Sequence, residues 1–116
     1  ALPISHGVFK IMSIKEIDPV TLKQWINEGK AILVDVREPE EVARERIAEA
    51  HNVPLSQFNT AHLPDHDDKI VVYHCVGGKR TAMHGPNLHA ATPAASAVYH
   101  LSGGIMGWKN AGHAVS

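Results

Sequence analysis

The sequence predicts a layered α/β domain with a mainly parallel sheet. Two short apolar runs rich in β-branched residues, AILVD at 31–35 and IVVYH at 70–74, read as strands buried on both faces. Around them lie stretches with helical caps and stripes, so strands alternate with helices, as crossover connections between parallel strands require. A chain of 116 residues suits one domain and can bury a core without staples.

Taken in order, ALPISHGVFKI shows no clear period and precedes Met12. Met12 is the expected natural start, with residues 1–11 an extraneous or disordered lead and residues 12–116 one domain. The stretch DPVTLKQWINEGK predicts a helix with Asp18 at the N-cap, Pro19 in the first turn and Gly29 at the stop. Leu22, Trp25 and Ile26 form its apolar stripe. REPEEVARERIAEA, following the first strand, has helical character, with Pro39, Glu40 and Glu41 suited to a first turn. HNVP reads as a short strand, and LSQFNTAHLPDHDDK as turns with one helical turn. After CVGGKR the chain predicts a helix, then a strand in SAVYHL and a short closing helix in IMGWKNAG. Trp25 and Trp108 read as core residues, Phe58 and Leu63 equally as caps on a pocket beside the loop or as surface packing, and Asp65, Asp67 and Asp68 as a solvated turn.

Composition narrows the function. A formal charge of −1 supplies no basic field for nucleic acid and no polybasic patch for a membrane surface. No apolar run has the length of a membrane span, and no secretory signal opens the chain. One cysteine excludes a disulfide within the chain and points to a reducing, cytoplasmic compartment. If a membrane anchor belongs to the natural protein, the domain is expected on its cytoplasmic side.

That cysteine, Cys75, directly follows the IVVYH strand, where parallel sheets bind their ligands. A thiol is a good nucleophile only as its thiolate, so its pKa must be lowered. Gly77 and Gly78 let successive amides curl inward into an anion nest, and Lys79 and Arg80 add positive charge. The pattern predicts a reactive cysteine with a pKa below that of free thiol.

Cys75-Val76-Gly77-Gly78-Lys79-Arg80 resembles the C-x-x-G-x-R loop of rhodanese-type sulfurtransferases. LVDVREPEEV resembles a family segment through Asp35, Arg37 and Glu41, and AHNVP another through Ala50, Asn52 and Pro54. GGIMGWKNAG resembles the closing element through Gly103, Gly104, Trp108 and Gly112. The resemblance runs over residues 13–115 and is closest to single-domain bacterial members. It implies a rhodanese-like α/β fold, a central mainly parallel five-stranded sheet with helices on both faces. It also implies that Cys75 takes sulfur from thiosulfate or a similar anion as a persulfide and passes it to cyanide or an external thiol. In that scheme Val76, Gly77, Gly78, Lys79 and Arg80 bind substrate, Arg80 and Lys79 grip the sulfonate, and Asp35 and Arg37 form a supporting ion pair. No cofactor and no metal are implied.

The chain departs from the family after its second helix, where Glu45-Arg46-Ile47-Ala48-Glu49-Ala50 replaces a Gly-His-Ile-Pro-Gly-Ala pattern, and near its end, at Gly112-His113-Ala114-Val115. An altered loop shape is expected from the first change. Gly85-Pro86 falls where the family has a regular helix, so that helix is expected to kink or to split after its first turn. Other functions compete. A persulfide carrier or redox-sensing module needs the same loop. A cysteine phosphatase or arsenate reductase uses H-C-x5-R, but four residues separate Cys75 from Arg80, a ring better sized to one sulfur than to a phosphate. Nine histidines, with His62 and His66 at i, i+4, raise metal binding, yet they lack a set of four ligands at recognised spacing.

Overall fold

The computed structural model describes residues 14–116, so the lead expected at 1–11 lies outside the described residues. Five parallel strands form one sheet in the order β1-β5-β4-β2-β3. They are β1 (Lys15–Ile17), β2 (Ala31–Asp35), β3 (His51–Asn52), β4 (Ile70–His74) and β5 (Ala97–Leu101). The helices are α1 (Pro19–Asn27), α2 (Pro39–Arg44), α3 (Lys79–Met83), α4 (Gly85–Ala90) and α5 (Gly104–Asn110). Two 3-10 turns, Leu55–Gln57 and Thr60–His62, lie between β3 and β4. No helix among the described residues is long and apolar enough to cross a membrane.

Alternation along the strands divides the core into two layers. Leu33, Val72 and Leu101 pack on one face with Leu22 of α1 and Ile105 and Trp108 of α5. Val34, Val71, Tyr73 and Val98 pack on the other with Leu88 of α4, and Phe58 and Leu63 lean against them. Cys75 continues the odd-numbered series of β4 and falls in this second layer. The central strand therefore ends with its thiol directed to the α4 side.

Local caps account for the boundaries. Asp18 accepts a hydrogen bond from the Thr21 amide at 2.8 Å, starting α1, and Gly29 ends it at φ +71°. In α2, Glu38 and Glu41 form a reciprocal capping box. This helix stops at Arg44, before the ERIAEA stretch at 45–50 expected to continue it. There the backbone turns extended at Glu45, whose carbonyl accepts from Arg37 Nη2, and Arg46 exchanges two backbone hydrogen bonds with Ser116. Tertiary partners win over local helix propensity there. The segment after the cysteine loop splits, with α3 and α4 separated at His84.

Candidate active site

The loop from Cys75 to Arg80 bridges β4 and α3. Its shape is imposed from two sides. At Gly78 the backbone adopts φ +97°, a left-handed conformation that favours glycine. From behind, the amides of Ile105 and Met106 donate to the carbonyls of Cys75 and Val76 at 2.9 and 3.1 Å. This holds the loop's oxygens toward α5 and turns its amides the other way. The approach requires Gly104: a Cβ there would stand 2.4 Å from both carbonyl oxygens. The glycine pair of GGIMGW is thus a seat for the loop.

Cys75 is 1% exposed, so any reactant must enter the loop to reach sulfur. The Gly78 amide donates to Sγ at 3.1 Å, and the Thr81 hydroxyl stands 3.7 Å away. Burial raises the thiol pKa, but the amides of Thr81, Gly78 and Arg80 and the Thr81 hydroxyl outweigh it, and the net direction is down. The Gly78 amide acts at contact distance, and α3 behind it is a short helix of five residues. Thr81 is itself positioned: its Oγ1 donates to the Gly78 carbonyl at 3.2 Å and lies 2.8 Å from His100 Nδ1. Burial lowers the His100 pKa, with Glu16 opposing, so the ring is held toward its neutral form.

The two cations of the loop are placed differently. Lys79 is exposed at the start of α3. Arg80, expected to grip a sulfonate, donates from Nη1 and Nη2 to the two carboxylate oxygens of Glu41 at 2.9 and 2.8 Å. This fork is the bidentate geometry that arginine favours. Hydrogen bonding to Arg80 holds the Glu41 carboxyl down at about 2 despite partial burial. Glu41 Oε2 also accepts the Glu38 amide at 2.9 Å, which fixes it on the first turn of α2. Val76 and Gly77 are exposed on the outer part of the loop.

Below the loop lies a buried polar brace. Arg37 Nη2 meets Asp35 Oδ2 at 2.7 Å, with both side chains nearly sealed from solvent. Asn52 Nδ2 donates to the backbone oxygens of Asp35 and Arg37 at 3.0 and 2.9 Å, tying β2 to β3. His74 is fully buried, its Nδ1 3.1 Å from the Cys75 carbonyl. Its Nε2 lies 3.4 Å from Asp35 Oδ2, without hydrogen-bond alignment. Burial lowers the His74 pKa more than Asp35 raises it, so this ring is also held toward neutrality.

Sequence reasoning singled out Cys75, its loop, Asp35 and Arg37, and the fold places all of them at the carboxyl ends of β2 and β4. It overlooked Thr81 and His100, and gave Glu41 and Gly104 no role. A hydroxyl six residues after the cysteine was the available signal for Thr81; nothing local marks His100, which reaches the site across the sheet.

Comparison with known proteins agrees with this geometry. The model of the Rhodanese-like domain family matches residues 18–111. The uncharacterized protein slr1261 of Synechocystis sp. is 38% identical over 96 residues, which cover 83% of this chain and 52% of that protein. The chain thus spans about half the length of that relative. A rhodanese-related protein from Thermoplasma volcanium superposes with a TM-score of 0.72 at 27% identity, over 88% of this chain and 97% of the other. Thiosulfate sulfurtransferase from Pseudomonas aeruginosa gives a TM-score of 0.73 at 22% identity, over 89% of this chain and 20% of that one, a likeness of fold. With the family match extending over most of the folded residues and the cysteine loop seated at the carboxyl end of the central strand, the chain belongs to the rhodanese-like domain family.

Proposed function

We propose that this domain is a sulfurtransferase that carries sulfane sulfur as a persulfide on Cys75. The observation behind this reading is the sulfur-centred loop, with the Gly78 amide 3.1 Å from Sγ and a net downward pull on the thiol pKa. In the first step the Cys75 thiolate attacks the outer sulfur of thiosulfate, the S–S bond of the donor breaks, and sulfite leaves with the bonding electrons. The Cys75 persulfide anion that remains is stabilised by preorganised amides, as an oxyanion would be. In the second step an external thiolate or cyanide attacks the outer sulfur and the Cys75 thiolate is released. Cys75 is the sole cysteine of this chain, so the acceptor comes from outside it. Intact-mass spectrometry after exposure to thiosulfate should show one added sulfur, lost on incubation with cyanide and absent in Cys75→Ser. A wild-type mass left unmodified by thiosulfate and by cysteine persulfide alike would defeat the proposal. Repeated thiocyanate release distinguishes a turnover enzyme from a carrier that loads once.

A further inference from the structure

The ion pair between Arg80 and Glu41 bears on which donor the site accepts. Both terminal nitrogens of Arg80 are occupied by one carboxylate, at 2.9 and 2.8 Å. That carboxylate is fixed by the Glu38 amide and remains ionised throughout the neutral range. Arg80 therefore brings its charge to the loop already balanced. Lys79 is the remaining loop cation, and the Cys75 thiolate balances that. A dianion entering such a site meets no surplus positive charge, and it must approach a thiolate of its own sign. The surface around the loop is meanwhile apolar in part: Val76 is 37% exposed and Met106 48%, and their backbones are joined by the bond from the Met106 amide to the Val76 carbonyl.

We propose that Glu41 is a specificity-determining residue, which by engaging Arg80 disfavours dianionic donors such as thiosulfate and favours an organic hydropersulfide, R–S–SH. The proposal rests on persulfide formation at Cys75. In the favoured reaction the Cys75 thiolate attacks the outer sulfur of R–S–SH, its S–S bond breaks, and RS⁻ departs. The products are the Cys75 hydropersulfide and a thiolate, with no oxidant consumed. The organic group of the donor rests against Val76 and Met106, and no second cation is needed to hold it.

The test compares kcat/KM for thiosulfate and for cysteine persulfide in the wild type, Glu41→Gln and Lys79→Ala. Glutamine also serves in a capping box, so Glu41→Gln keeps the start of α2 while removing the charge opposite Arg80. Its ratio of thiosulfate to persulfide activity should rise about tenfold, mainly through a lower KM for thiosulfate, and the gain should shrink in high salt. Lys79→Ala alters an exposed side chain and should lower the same ratio. An unchanged or lower ratio in Glu41→Gln overturns the role given to Glu41. Failure of both donors to load sulfur on wild-type Cys75 is a separate result: it removes the sulfurtransferase reading and this proposal with it.

Discussion

Gly77 and Gly78 are neighbours in the loop, yet only one of them is required by its backbone. Gly78 sits at φ +97°, while Gly77 has no positive φ and open space where a Cβ would project. Gly78→Ala should therefore cost about 1–2 kcal/mol, the strain of a left-handed residue, and should pull the amide away from Sγ. Gly77→Ala should leave both stability and sulfur loading near wild type. Denaturant unfolding together with the rate of persulfide formation checks the pair. Thr81→Val extends the same reasoning to the side chain 3.7 Å from sulfur. Loss of its hydroxyl should raise the thiol pKa, read by titrating thiolate absorbance.

The break between α3 and α4 shows how an element-level conflict is resolved. Read as the interior of one helix, Gly85-Pro86 would cost about 3 kcal/mol or more. In the structure Gly85 and Pro86 are instead the first two residues of α4, positions where a missing amide has no intrahelical partner to lose. The backbone bends at His84, and α3 keeps its contact with the sulfur through the Thr81 hydroxyl, 3.7 Å from Sγ. Pro86→Ala should consequently neither rescue nor abolish the domain. A loss of about 0.4–1 kcal/mol is expected, from the extra freedom of the unfolded chain, with sulfur loading retained. A gain of several kcal/mol on thermal or denaturant unfolding would show that the proline is strained after all. The capped or strongly apolar elements, α1, β2 and β4, were legible in the sequence because their signals are local. β1 was not assigned because its three residues are too few to show a period. The end of α2 escaped because Glu45 and Arg46 are held by Arg37 and Ser116, partners distant in sequence.

At the scale of the molecule, what sequence could not supply was contact across the sheet. Cys75 and its loop are contiguous and were readable, whereas Glu41 meets Arg80 across 39 positions and His100 meets Thr81 across 19. The same long-range packing sets how stability responds to acid. His74 and His100, on adjacent strands but in opposite layers, are both held toward neutrality by burial. Desolvation exceeds the pull of Asp35 on the first and of Glu16 on the second. In the unfolded chain each would take up a proton near its ordinary pKa of about 6.5. The unfolded state then binds more protons than the folded state as pH drops, and unfolding free energy rises with pH over that interval. Stability should therefore be complete above about pH 6.5 and should decline below it, by up to about 1.4 kcal/mol per pH unit for each histidine. Glu41, whose folded pKa is lowered to about 2, contributes stability that is present above its unfolded pKa and is lost as pH falls from there through about 2. The two effects are separable by their pH windows. His100→Asn should flatten the decline between pH 6.5 and 5, roughly the range of histidine titration, while leaving the carboxylate-linked loss in place. Equilibrium unfolding across this range in wild type and variant measures it. A decline of equal slope in both would show that His100 does not contribute.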